Sequence, residues 1–104
     1  MRDFQGRIVF ITGGSSGIGL ETARKFSSLG AHVAVFARNA ERLEQARHDI
    51  EGHRRSSAQK ISAMTVDVGD HADVDEKMAS AVKDFGSPDI VVANAGVGYA
   101  DRFE

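Results

Sequence analysis

The chain reads as an α/β protein built on a doubly wound parallel sheet, and three observations predict it. Short β-branched runs alternate with stretches whose apolar residues recur at helical spacing. The runs are apolar on both sides, as strands covered by helices on two faces must be. A glycine-rich turn, "ITGGSSGIG" from Ile11 to Gly19, joins the first run to the first helical stretch. The resulting β-α-β-α-β-α-β succession implies parallel pairing through right-handed crossovers.

The elements follow in order. "RIVFIT" (Arg7–Thr12) is the first strand. From Gly17 to Leu29, the residues Ile18, Thr22, Ala23, Phe26 and Leu29 predict a helix, and Gly30 ends it. "AHVAVFA" (Ala31–Ala37) is the second strand, and Asn39 is suited to cap the helix after it. Leu43, Ala46 and Ile50 give that helix one apolar stripe, Gly52 closes it, and "HRRSSAQK" (His53–Lys60) is a polar connection. "ISAMTV" (Ile61–Val66) is the third strand. Asp70 caps a third helix whose buried face is Val74, Met78, Ala81, Val82 and Phe85. "GSP" (Gly86–Pro88) stops it, and "DIVVANAG" (Asp89–Gly96) is a fourth strand running into a second small-residue turn.

Composition narrows the function classes. The 104 residues suit one small domain, with 41% apolar and 27% charged residues and a formal charge of −2. That balance supplies no electrostatic attraction for nucleic acid or an anionic membrane. Cysteine is absent, which excludes disulfides and thiolate chemistry. No signal peptide and no transmembrane run is legible, so a cytoplasmic location is expected. The four histidines, His32, His48, His53 and His71, form no i, i+4 pair, and no metal site is expected. "DVGDHADVDE" fails the calcium-loop pattern, because Gly69 and His71 stand where carboxylates are needed. It reads instead as a capped, negatively charged helix start.

The glycine turn carries the chemistry. Glycine loses the most backbone freedom on folding, so a turn with four glycines among nine residues needs a reason. A helix N-terminus at the carboxyl end of a strand offers unpaired N–H groups and about half a positive charge. A phosphate satisfies both where side chains stay out of the way. Gly13 permits the sharp turn, Gly17 lets backbone approach an anion, and Gly19 lets helix and strand pack closely. The spacing Gly13-x3-Gly17-x-Gly19 is not G-x-G-x-x-G as written. Nor is it a nucleoside-triphosphate loop: Gly14-x4-Gly19 has the spacing, but Leu20 and Glu21 follow where lysine and a hydroxyl are required.

"TGGSSGIG" resembles the T-G-x-x-x-G-x-G signature of the short-chain dehydrogenases/reductases. "ANAG" (Ala93–Gly96) resembles that family's N-A-G motif at the end of its fourth strand, and Asp67–Val68 falls where the family contacts adenine. The resemblance implies a Rossmann fold and a nicotinamide dinucleotide cofactor. Under it, Thr12 hydrogen-bonds toward the turn near Asn94. Gly13, Ser15, Ser16, Gly17 and Ile18 line the diphosphate and ribose beside the close-packed Gly19. The Asp67 carboxylate accepts from the adenine amino group, and the Val68 N–H reaches a ring nitrogen. Asn94, Ala95 and Gly96 flank ribose and diphosphate.

The end of the second strand selects the cofactor. An acidic residue there binds a ribose 2′-hydroxyl, whereas a basic one accommodates a 2′-phosphate. The chain reads "VFARNAER": Ala37 stands where NAD-binding relatives carry Asp, Arg38 follows, and Asn39 and Arg42 complete the candidate 2′-phosphate neighbourhood. The expectation is NADP(H).

Family members transfer hydride with a Tyr and a Lys in Y-x-x-x-K, where the Tyr moves the proton and the Lys lowers its pKa. The single tyrosine here, Tyr99, is followed four positions on by Phe103 and lies three positions after Gly96. It does not fill that role, and no catalytic residue is assigned. The chain therefore resembles the cofactor-binding half of an NADP(H)-dependent reductase, one domain over 1–104, cut before the catalytic half and inactive alone. The whole enzyme is expected to act on a carbonyl or alcohol substrate as a homo-oligomer. A stand-alone nucleotide-binding or interaction module is the alternative. "ITGGSSGIG" with "ARNAERL" most resembles reductases of 3-ketosphinganine within the family. A fourth strand with no fifth beside it leaves a bare apolar edge, so self-association is expected.

Overall fold

The computed structural model describes residues 3–13, 17–67 and 69–93. Seven elements run β1 (Ile8–Thr12), α1 (Gly17–Ser28), β2 (His32–Ala37), α2 (Ala40–Glu51), β3 (Ile61–Thr65), α3 (His71–Phe85) and β4 (Ile90–Ala93). All four strands pair in parallel, in the order β3-β2-β1-β4. The chain winds outward from β1 to β3, then crosses back to place β4 on the other side of β1. That reversal is the topological switch point of a doubly wound sheet.

Strand alternation sorts the core into two layers. Val9, Ile11, Val33 and Val35 point to one face, where Ala23 of α1 and Leu43, Ala46 and Ile50 of α2 cover them. Phe10, Ala34 and Phe36 point to the other, where Ala81 of α3 is buried and Val74, Met78 and Phe85 pack at its margin. Phe10 meets Phe36 and Phe85 edge-on, at centroid distances of 5.6 and 6.1 Å.

Two predicted faces need correction. Ile18 does not belong to the buried stripe of α1: it is 77% exposed. The helix instead turns Gly19, Ala23 and Ser27 to the sheet, a small-residue row that brings the backbones close. The second correction is Val82, which is 39% exposed on α3, because Ala81 takes the central position of that helix. Val91 of β4 is 55% exposed on the same side of the sheet as its register partner Phe10.

The predicted caps form. Asn39 Oδ1 accepts from Arg42 N–H at 3.0 Å, and Asp70 Oδ1 accepts from Ala72 and Asp73 N–H at 3.0 and 3.3 Å. Gly30 leaves α1 at φ +98°, where a Cβ would stand 2.9 Å from the Gln5 backbone. Both conformation and close approach therefore demand glycine there.

The connection His53–Lys60 is more than a solvated loop. Gln59 is buried beneath it. Its side chain accepts from Arg55 and Ser56 N–H at 2.8 and 3.1 Å and donates to the Ser27 and Ala31 carbonyls at 2.9 and 2.8 Å. One side chain thus fastens the α2–β3 connection to the end of α1 and the start of β2.

Candidate functional site

The site lies along the carboxyl ends of the strands, beside the switch point between β1 and β4. Register places Thr12 of β1 opposite Phe36 of β2 on one side and Ala93 of β4 on the other. Thr12 is buried, and its hydroxyl donates to the Val92 carbonyl across the β1–β4 junction at a long 3.5 Å. Gly13 follows at φ +72°, and its N–H donates to the Phe36 carbonyl at 2.7 Å. The chain therefore leaves β1 still tied to β2.

α1 begins at Gly17, whose φ of +59° suits glycine and whose added Cβ would meet nothing within 4 Å. No acidic side chain occupies its first turn, so none neutralises the positive end of the helix dipole. Gly19 is buried against the sheet, while Ile18 stands out from the helix start.

At the end of β2, Arg38 is exposed, and its guanidinium has no hydrogen-bond or ion-pair partner among the described residues. Asn39 has its carbonyl oxygen committed to capping α2, which leaves its amide nitrogen for any ligand. Arg42 sits in the first turn of α2 with its side chain exposed. Asp67 follows β3. Val66 N–H, one residue earlier, donates to the Ala37 carbonyl at 2.8 Å, which ties the ends of β2 and β3 together. Arg38, Thr65, Val66, Asp67, Asp73 and Lys77 line one open depression of about 300 Å³ at this point. The candidate cation and the candidate adenine acceptor thus share one surface.

Ser15, Ser16, Val68, Asn94, Ala95, Gly96 and Tyr99 lie outside the described residues. Sequence reasoning passed over Asp73 and Lys77 in the depression. Asp73 stands in the first turn of α3 and Lys77 four residues on, and the only sequence signal for Asp73 is its place three residues after the cap Asp70. Among the described residues, no helix is long and apolar enough to cross a membrane.

Comparison with known proteins agrees with this arrangement. The short chain dehydrogenase family matches residues 7–104. Mouse 3-ketodihydrosphingosine reductase is 37% identical over 100 residues, covering 95% of this chain and 30% of that protein. L-Sorbose reductase from Gluconobacter frateurii, solved with NADPH and L-sorbose, superposes with a TM-score of 0.82 at 36% identity, over 92% of this chain and 35% of that one. A xylitol dehydrogenase bound to NAD+ superposes with a TM-score of 0.79 at 28% identity, over 86% of this chain and 33% of that one. The chain spans 35% and 30% of the length of two further curated relatives it matches. With its family match running from β1 through β4 and its glycine turn at the switch point, the chain belongs to the short chain dehydrogenase family.

Proposed function

We propose that the chain is the cofactor-binding half of an NADP(H)-dependent oxidoreductase that moves hydride between nicotinamide and a carbonyl or alcohol substrate. One observation carries the choice of cofactor. Arg38, without a partner among the described residues, directly follows Ala37 at the end of β2 and lines the same depression as Asp67. Its guanidinium suits a 2′-phosphate as a charge-assisted, forked contact, and no carboxylate stands at position 37 to repel one. Family membership alone does not choose, since one similar structure holds NADPH and another NAD+.

The residues present fit the group. An anion at the start of α1 meets helical N–H groups and the open space beyond Gly17. In this reading Gly13, Ser15, Ser16, Gly17 and Ile18 surround the diphosphate and ribose, and Gly19 holds α1 close to β1. Arg38, Asn39 and Arg42 take the 2′-phosphate, Asp67 and Val68 the adenine, and Asn94, Ala95 and Gly96 the second ribose side. The bound nicotinamide supplies hydride chemistry. The part of the enzyme that holds the reacting substrate is assigned to sequence beyond these residues, in a cytoplasmic homo-oligomer. The test is a calorimetric titration of the chain with NADPH and with NADH. NADPH binding the tighter supports the reading, and NADH binding equally or more tightly refutes it.

A further inference from the structure

We propose that Asp73 is a positioning residue, which fixes the turn between β3 and α3 so that the Asp67 carboxylate faces the adenine ring. This rests on the reading of Asp67 given above. Asp73 Oδ2 accepts the Asp67 backbone N–H at 2.8 Å, and Asp73 Oδ1 accepts from Lys77 Nζ at 2.9 Å. The pair is two-thirds or more covered: the side chains are 26% and 32% exposed. Residue 67 is held from its other atoms too. Its carbonyl accepts from Asp70 N–H at 3.0 Å, and its Oδ1 accepts from Gly69 N–H at 3.0 Å.

Only one polar atom of Asp67 then has no partner among the described residues, and that is Oδ2. A carboxylate fixed at its backbone N–H, its carbonyl and one oxygen offers the remaining oxygen in a set direction, with its ordering cost met before a ligand arrives. Each Asp73 oxygen already accepts one hydrogen bond, from Asp67 N–H and from Lys77 Nζ, whereas Asp67 Oδ2 accepts none among the described residues. The Asp67 N–H and the Lys77 ammonium hold the Asp73 carboxyl below the usual aspartate range, so the clamp is ionised at neutral pH. Asp73 also lies in the first turn of α3, where the helix dipole favours a negative charge.

The test compares binding of NADPH with that of its purine analogue, in which hydrogen replaces the adenine 6-amino group. The full chain should prefer NADPH about tenfold, the worth of one hydrogen bond to a charged acceptor. Asp73→Ala should bring that ratio close to one with the analogue's affinity nearly unchanged. Asp73→Asn, whose amide oxygen still accepts from Asp67 N–H, should retain most of the preference. Lys77→Met leaves the α3 cap intact, so it reads out the clamp even if Asp73→Ala does not fold. It should lower the ratio in the same direction by a smaller factor. An unchanged ratio in Asp73→Ala or Lys77→Met, or an equal loss for both ligands, overturns the proposal. Wild-type chain that binds both ligands equally removes the adenine role of Asp67 itself, and wild-type chain that binds neither removes the cofactor reading; each takes this proposal with it.

Discussion

In the proposed reading a single residue, Arg38, decides between the two cofactors. Five of the seven described arginines are spoken for: Arg7 is paired with Asp89, Arg24 with Asp49 and Glu21, Arg47 with Glu44 and Glu51, Arg54 donates to the Gln59 carbonyl, and Arg55 is held by Asp3 and the Ser28 carbonyl. Arg38 has no such partner among the described residues, although it stands at the carboxyl end of a central strand. Arg38→Ala should weaken NADPH by about 10- to 100-fold, the range for charge-assisted hydrogen bonds. NADH should change little, because it lacks the 2′-phosphate. Parallel titrations of the two cofactors check this. The identity of Arg38 and its place after Ala37 were legible in the sequence. Its freedom was not, since the partners of a surface arginine depend on how distant segments pack.

At the scale of elements, caps and stripes were legible because they are local. Asn39 and Asp70 cap α2 and α3 as their types and positions predict, and Leu43, Ala46 and Ile50 bury the stripe of α2. Long-range contacts were not. Gln59 looks like one more polar loop residue, yet it closes four hydrogen bonds, two of them to carbonyls 32 and 28 positions away. Gln59→Ala should destabilise the fold by about 2–3 kcal/mol, because buried groups lose their partners; chemical denaturation measures it. Arg24 of α1 and Asp49 of α2 form a second cross-link, with Arg24 Nε donating to Asp49 Oδ2 at 3.0 Å. The Arg24 hydrogen bond holds the Asp49 carboxyl below its ordinary 3.8. A carboxylate depressed on folding stabilises above its unfolded pKa and loses that contribution as pH falls through the folded value. Asp49→Asn should therefore be less stable than wild type at pH 7, with the two converging as pH drops below 3.8. Thermal melts across that range check the sign.

For the whole molecule, alternation and turn chemistry were enough to read the layered architecture. Strand order was not legible from alternation alone, because it depends on which crossover reverses. Among the described residues β4 is one of the two edge strands, β3 being the other, and beside it Val91 and Val82 stand exposed on the α3 side of the sheet. The 104-residue chain alone should associate through this region, and light scattering should report a mass above the monomer's; Val91→Lys should lower it. A monodisperse wild-type monomer counts against that expectation. The central claim is that the start of α1, at the switch point between β1 and β4, holds the diphosphate of a nicotinamide dinucleotide. Following backbone amide resonances during an NADPH titration tests it most directly. We predict saturable shifts concentrated at Gly13, Gly17, Ile18, Gly19, Arg38 and Asp67; shifts confined to the opposite end of the sheet, or none on a folded chain, would contradict it.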